Sequence, residues 1–476
     1  MNLFAQLDRK FVWHPFTQMR DWLKREPVVI AAGHGAVLRD VKGRDYLDAN
    51  SSIWTNLHGH NHPRLNAAVN RQLKKIAHSS ALGFASGPAS LLAEQLIKAA
   101  RPKPGTKDPK LARVFFSDDG STAMEVALKL AYEFTRRVRG RKSRPKFLSL
   151  GGAYHGDTVG AVSAGHIDLF HKAYRGLLFK TDKVMAPYCY RCPFNRAKPE
   201  RADARLYRKC FWECVGQVEQ KFSAQRKKGN PFAAFVMEPL MQGSAGMIPQ
   251  PQSWLKQVTE IARIHGTLLI ADEVMTGFGR CNSKIGTQSV RPMLFACQQE
   301  DVQPDFLCLA KGLTGGYLPM AATLTTKRVF DAFLGEYEEF KTFFHGHSYT
   351  GNQLGAAAGL ASLEILRTEH SLRRREHLEA NLHTELQTLW SLANVGDVRQ
   401  VGLVAGIELV RDWRTRELFH LRERAGIRVC EAMAKRGVLT RPVGNVIVLM
   451  PPYCTTPGQT KKMVSAVREA VQEVFD

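Results

Sequence analysis

The chain has 476 residues, 44% apolar and 23% charged, the proportions of a soluble globular protein with room for one large layered domain and a smaller one. Lysine and arginine total 67 against 44 acidic residues, a formal charge of +23, yet the basic runs 136–146, 225–229 and 372–376 carry no interleaved stacking aromatics, which argues for solvated surface and against a nucleic-acid groove. No run has the length of a membrane-spanning helix and the opening MNLFAQLDRKFVWHPF lacks the apolar core of a secretion signal, so a cytoplasmic enzyme with no membrane partner is expected.

In chain order, the first element is a hairpin, GAVLRDVKGRDYLDA, turned at VKGR. From about residue 110 to 330 short apolar runs alternate with longer helical ones. RVFFS, KFLSL, AAFVME, TLLIADE and FLCLA read as strands, TAMEVALKLAYEFTRRV and QSWLKQVTEIARIHG as helices, the second ending on Gly266 as a C-cap. Such alternation predicts an α/β fold with a mostly parallel central sheet flanked by helices, and a ligand outside the carboxyl ends of its strands. Beyond about 350 the pattern changes to long helices over GNQLGAAAGLASLEILRTEHSLRRREHLEANLHTELQTLW, then VRQVGLVAGIELV, a helix and VIVLMPP. This is an α+β arrangement, expected to pack with the N-terminal hairpin as a smaller domain.

The nine cysteines do not make a disulfide scaffold. Cys189-x2-Cys192 and Cys210-x3-Cys214 approach zinc-ligand spacing, but the second pair lacks the usual x2 knuckle. Reduced thiols on a surface insertion, with no metal, are the favoured reading.

Three strand ends carry polar groups. In FFSDDGSTAMEVALKL, Gly120 and Ser121 stand where a strand passes into a helix, so free amides and a hydroxyl meet the helix's positive end. The same pattern also serves as a plain N-cap. Asp272, in TLLIADEVMTGFGR, closes a central strand and needs a cationic partner or several hydrogen bonds; Arg280 and a protonated pyridine nitrogen both answer. Lys311, in FLCLAKGLTGGYLP, follows a buried strand, where an ammonium needs a partner or a task. A phosphate loop, an aspartate and a lysine in this order at strand ends describe a pyridoxal-phosphate site. Tyr154 and His155, in GGAYHGDT, offer an aromatic face to the ring, and Gly315 and Gly316 let backbone pass close by.

The motifs WHPFTQM (13–19), SSIWTNLHGHNHP (51–63), DDGSTAMEVALKLA (118–131), GAYHGDTVGAVS (152–163), ADEVMTGFGR (271–280), LAKGLTGGYLPMAATLTT (309–326), FFHGHSYTGNQL (343–354) and LTRPVGNVIVLMPPY (439–453) span nearly the whole chain. With them the sequence resembles the class III aminotransferases of the type I pyridoxal-phosphate fold. The resemblance implies Lys311 as Schiff-base lysine, Asp272 as pyridinium partner, Gly120 and Ser121 as phosphate cradle, and Tyr154 as stacking and pocket residue. It further implies that His347 and Ser348 reach the phosphate from the neighbouring subunit of a homodimer. Gly346 would give a backbone contact to substrate and Arg441 would hold the substrate carboxylate. The implied layout is 1–75 packing with the small domain, 76–345 as cofactor-binding domain and 346–476 as C-terminal small domain.

WHPFTQM and TRPVGN…LMPPY resemble the branch that aminates 8-amino-7-oxononanoate in biotin synthesis. That branch commonly has tyrosine where this chain has Phe16, and a Trp-Trp pair where it has Ile53-Trp54. The resemblance to that branch implies S-adenosylmethionine as amino donor, while the departures at Phe16 and Ile53 leave lysine as the alternative, beside another ω-amino or diamine reaction of the class. The segment 281–296 is longer than the family's usual turn.

Overall fold

A computed structural model describes residues 2–102, 110–140, 144–281 and 293–476, so most of the long 281–296 segment lies outside the described residues. The hairpin forms where VKGR predicts it: β2 (Val37–Asp40) pairs antiparallel with β3 (Asp45–Asp48), and the Asp40 carboxylate accepts the N–H groups of Lys42 and Arg44, each at 2.9 Å, to fix the turn. A further strand, β1 (Ile30–His34), flanks β2; its mostly exposed residues give no alternating signal, which is why the sequence pattern missed it.

Helices α1 (Pro63–Leu73) and α2 (Gly87–Ala99) lead into the central sheet. Its strands are β4 (Leu111–Ser117), β5 (Phe147–Leu150), β6 (Asp182–Val184), β7 (Ala234–Met237), β8 (Leu268–Asp272), β9 (Phe306–Leu309) and β10 (Ala321–Thr326), in spatial order β4-β10-β9-β8-β7-β5-β6. All pairs from β9 to β6 are parallel. β10 runs antiparallel to both its neighbours, because the short Lys311 turn cannot supply the crossover a parallel return needs. Every residue of β5, β7, β8 and β9 is buried, the cause of their continuous apolar sequence. Period two sends Leu269, Ala271, Leu307 and Leu309 into one core with Trp254 and Val258 of the helix Trp254–Ile264. Leu268, Ile270, Phe306 and Cys308 enter the opposite core with Met124 and Ala127 of the helix Gly120–Arg139.

The long C-terminal helical pattern divides into α3 (Gln353–Leu366) and α4 (Glu369–Gln387), because the Thr368 side chain accepts the N–H of Ser371 and starts a new helix. α3 packs on α1, α2 and the Lys311 turn. A second sheet joins the hairpin β11 (Val395–Val401) and β12 (Val404–Leu409) to the strand Val446–Leu449. Val438 and Leu439 pair in parallel with Leu47 and Asp48 of β3, and one core gathers Leu47 and Ala49 with Leu409, Ile447 and Val467, so both chain ends share an interior. The reading of basic runs as solvated fails at Arg375 of the 372–376 run, which is 1% exposed, its guanidinium carbon 5.6 Å from the Tyr453 ring centroid. Among the described residues no helix is long and apolar enough to cross a membrane.

Candidate active site

Lys311 stands, with one residue between, beyond β9, the strand beside the one that ends in Asp272, so sheet topology alone makes them neighbours. Both line a cavity of about 410 Å³ at the carboxyl ends of the strands, together with Gly120, Ser121, Tyr154 and Trp54. Lys311 has φ +44°, a left-handed conformation that costs a non-glycine residue about 1–2 kcal/mol. Such strain gathers at working sites. Its amine lies 4.6 Å from the centroid of the Trp54 ring. Burial pushes the Lys311 ammonium below the ordinary lysine value, and the Asp272 and Glu238 carboxylates pull it part of the way back. Gly316, at φ +85°, lets the turn pass so near the backbone of Thr55 and Asn56 that a Cβ would fall 2.9 Å from it.

Asp272 is buried, and its partner is not Arg280. Arg280 donates to the carbonyls of Pro451 and Asn56, tying three parts of the chain together. Asp272 Oδ2 instead accepts from His155 Nδ1 at 2.8 Å, and Oδ1 accepts from the N–H of Val274 at 3.1 Å. His155, read from sequence as part of an aromatic face, is thus the carboxylate's anchor. One carboxylate edge is fixed by protein while the group still borders the cavity.

The helix Gly120–Arg139 begins under a capping box: the Asp119 side chain accepts from the N–H of Thr122, and the Thr122 hydroxyl accepts from that of Asp119. The amides of Gly120 and Ser121 have no intrahelical acceptor at this position. Ser121 Oγ accepts from the N–H of Asp157 at 3.2 Å, and a Cβ on Gly156 would lie only 2.0 Å from that oxygen. The small residues hold open a cradle of N–H and O–H groups at a helix's positive end, which fits a phosphate. With the buried, partly anchored carboxylate of Asp272 and the desolvated amine of Lys311, the donor set fits pyridoxal phosphate.

Tyr154 stands over the cavity with its hydroxyl donating to Asp157 Oδ2 at 2.6 Å; burial foremost, then that carboxylate, raises its phenol well above the usual value. Phe16, 57% exposed, brings its ring centroid to 6.4 Å from that of Tyr154 and 5.2 Å from that of Phe170. Arg441 donates to the Phe16 carbonyl at 3.4 Å, so the two chain ends meet at the mouth. Ser51, Ser52, Ile53 and Trp54 all have positive φ, a one-turn left-handed coil held by Asp48, which accepts from Ser52 N at 3.0 Å, and by Asn50, which accepts from Trp54 Nε1 at 2.8 Å. Nothing in the motif SSIW announces this. His347 lies 3.1 Å from Asp118, a residue of the cavity wall, but it does not itself line the cavity, and neither do the exposed Gly346 and Ser348.

Two groups escaped the sequence reading. Glu238, just past β7, is buried and accepts from the N–H of Gly243 at 2.8 Å; burial raises its carboxyl to about 7. Its one sequence signal is an acid closing a buried strand. Phe170 sits on the short helix Asp168–His171, outside every motif, and only tertiary packing brings it to Tyr154, at 6.2 Å between centroids.

Fold and site together define a pyridoxal-phosphate-dependent aminotransferase. The model of the class-III aminotransferase family matches residues 19–471, and the chain belongs to that family. It is 46% identical over 471 residues to adenosylmethionine-8-amino-7-oxononanoate aminotransferase of Nitratidesulfovibrio vulgaris, covering 99% of this chain and 82% of the relative. The Anoxybacillus flavithermus protein of the same name is 44% identical over 476 residues, covering 100% and 98%. Among solved structures, adenosylmethionine-8-amino-7-oxononanoate aminotransferase of Methanocaldococcus jannaschii superposes with TM-score 0.87 at 39% identity over 99% of both chains. A pyridoxal-phosphate-bound amine transaminase from an uncultivated Pseudomonas species gives 0.85 at 33% identity, covering 97% and 98%.

Proposed function

We propose that this aminotransferase converts 8-amino-7-oxononanoate to 7,8-diaminononanoate, with S-adenosylmethionine as amino donor, in biotin synthesis. The substrate rests on full-length likeness to relatives that carry this activity in their names. The chemistry rests on one observation, the convergence of Lys311, Asp272 and the Gly120–Ser121 helix start on a single cavity.

Gly120 and Ser121 would hold the cofactor phosphate. Asp272, kept in place by His155, would accept a hydrogen bond from the protonated ring nitrogen, and Lys311 would hold the aldehyde carbon. Bound pyridoxal phosphate supplies an electron sink that lets the substrate's carbon-bound proton leave. Lys311 Nζ, pushed by burial towards its neutral form and freed once the substrate's own amine takes its place, would take that proton and return it. Tyr154 covers the ring, and Phe16, Ile53 and Trp54 line an apolar mouth that takes donor and acceptor in turn. Arg441 holds a substrate carboxylate through its planar pair of donors. Gly346 contacts substrate, and His347 and Ser348 complete the phosphate site across a homodimer, each chain being laid out as 1–75, 76–345 and 346–476. We place the enzyme in the cytoplasm.

A second reading, lysine as donor, is favoured by Phe16 and Ile53, which offer no hydroxyl and no indole to a sulfonium or an adenine. The test is turnover of 8-amino-7-oxononanoate with a panel of donors. Diaminononanoate from S-adenosylmethionine supports the first reading and from lysine the second; none from any donor removes the biotin assignment. Lys311→Ala is expected to abolish turnover and the cofactor's visible absorbance. An unchanged spectrum would place the anchor on another lysine.

A further inference from the structure

The left-handed coil at 51–54 delivers one side chain to the cavity. Its residues have φ of +47°, +48°, +63° and +69°, a conformation that the β-branched Ile53 rarely adopts. Ser51 Oγ donates to the Met450 carbonyl at 2.6 Å, Ser52 Oγ donates to Asp48 Oδ2 at 3.0 Å, and Ile53 is exposed; of the four, Trp54 alone lines the cavity around Lys311. The indole is fixed. Trp54 N donates to the Asn50 carbonyl at 2.9 Å, and Nε1 donates to Asn50 Oδ1 at 2.8 Å. On another edge Gly243 leaves the ring room, since a Cβ there would fall 3.3 Å from Trp54 Cζ3 and 2.5 Å from Met275 Sδ. With its one side-chain donor committed to Asn50, the ring offers the cavity its π face.

That face meets Lys311 Nζ, 4.6 Å from the ring centroid and within the reach of a cation–π contact. Among the described residues the amine has no hydrogen-bond or ion-pair partner. The two carboxylates whose charge it feels are engaged elsewhere, Asp272 by His155 Nδ1 at 2.8 Å and Glu238 by the N–H groups of Gly243 at 2.8 Å and Tyr154 at 3.4 Å. We propose that Trp54 is a positioning residue for Lys311, its π face holding the freed amine and favouring the form that carries the proton. This rests on the aminotransferase reading above, in which Lys311 takes up and returns a carbon-bound proton.

Burial alone would make this lysine a poor base. An amine stripped of water holds a proton so weakly that it gains little by taking one from carbon. An aromatic face gives the ammonium back part of the solvation it has lost. It does so without a directed hydrogen bond, so Nζ moves from ring to substrate with no hydrogen bond to break. A carboxylate paired with the amine would do the opposite, keeping it charged and unable to act as a base. The strained backbone at 51–54 is then the means of setting the ring at this distance. A role as pocket wall accounts for an apolar side chain at 54, but not for an amine seated on its face while the indole N–H is tied away.

The experiment is trace acetylation of the full-length protein as a function of pH, with the Lys311 peptide followed by mass spectrometry. It is run on cofactor-free protein and on protein loaded with pyridoxamine phosphate, in which the cofactor carries the amine and Lys311 is free. Trp54→Leu should lower the titration midpoint of Lys311 by about 1, a tenfold loss of proton affinity, and Trp54→Phe, which keeps a weaker π face, by less. The midpoint, unlike the rate, does not depend on how far a variant opens access to the amine. The acids Asp118, Asp119, Glu238 and Asp272, with His155 and the phenols of Tyr154 and Tyr317, share the cavity wall with Lys311 and are unaltered in both variants. In turnover, kcat of the leucine variant should fall by about three- to tenfold. A leucine midpoint at or above the parent's, or a phenylalanine midpoint as low as leucine's, overturns the proposal, and a raised KM with the midpoint unmoved reduces Trp54 to a wall. Protein that takes up no pyridoxamine phosphate speaks against the aminotransferase reading instead, and the cofactor-free midpoints still decide the role of Trp54.

Discussion

Replacing His155 by alanine tests how the active-site carboxylate is held. The imidazole side chain is 0% exposed and that of Asp272 6%, and their contact is 2.8 Å. Without His155, Asp272 keeps only the N–H of Val274 as an acceptor contact from this face. A hydrogen bond to a charged group is worth about 1.5–3 kcal/mol, and stripping one partner from a buried pair costs about 3–5 kcal/mol once the unpaired charge is included. The vacated ring volume adds to the same side. His155→Ala should therefore destabilise the cofactor-free protein by about 3–5 kcal/mol. In the holoenzyme, a mispositioned Asp272 should lower kcat by about 10–100-fold, the usual effect of removing the partner that orients a working ligand. His155→Asn retains an N–H donor and should recover part of both losses. Urea denaturation of the cofactor-free protein and steady-state kinetics of the holoenzyme provide the readouts. A loss below about 1 kcal/mol for alanine, or asparagine no better than alanine, would refute the anchoring argument.

Glu238 predicts a pH dependence. Its folded value of about 7 lies above the ordinary 4.5, so the native state holds a proton that the unfolded chain has released. That contribution is complete below about pH 4.5 and disappears as pH rises through 7, a change of roughly 3 kcal/mol. Glu238→Gln should flatten stability across that window, and denaturation midpoints at pH 5 and pH 8 that keep the parent's difference would contradict it. Arg441→Ala should raise the acceptor KM by at least about tenfold while leaving the cofactor spectrum alone, as expected for a lost carboxylate contact; an unchanged KM removes that role. Gly156→Ala drives a methyl into Ser121 Oγ at a φ of +119°, so cofactor affinity measured by absorbance titration should fall at least about tenfold; unaltered affinity would mean that the cradle is elsewhere.

The lysine and the aspartate were legible because each closes a run of consecutive buried residues. Strand period and burial on both faces write themselves into sequence as FLCLA and LLIAD, and a charged residue at the end of such a run stands out. The helix start at Gly120 was legible for a similar reason, since capping is local chemistry. The partners of these groups were not. His155 and Asp272 are 117 positions apart, and neighbouring sequence offered Arg280, which the fold commits instead to two backbone carbonyls. Glu238 reaches the cavity, and Phe170 the Tyr154 ring at its edge, through strand order and helix packing, which no local pattern encodes. The basic runs misled in one place: charge pattern reads as solvent-facing, yet packing against Tyr453 takes Arg375 inside.

The sequence by itself determined five strands of the seven-stranded central sheet, β4, β5, β7, β8 and β9, together with the turn that presents Lys311, the helix start at Gly120 and the acid at 272, because propensity, capping and burial on both faces act over a few neighbouring residues. Only tertiary structure decided the antiparallel return of β10, the left-handed coil at 51–54, the anchor on Asp272, and the meeting of Phe16 with Arg441 at the mouth. Those depend on which distant segments share a boundary. That choice is made by the joint burial of whole surfaces, a property of the assembled chain that no single stretch of it carries.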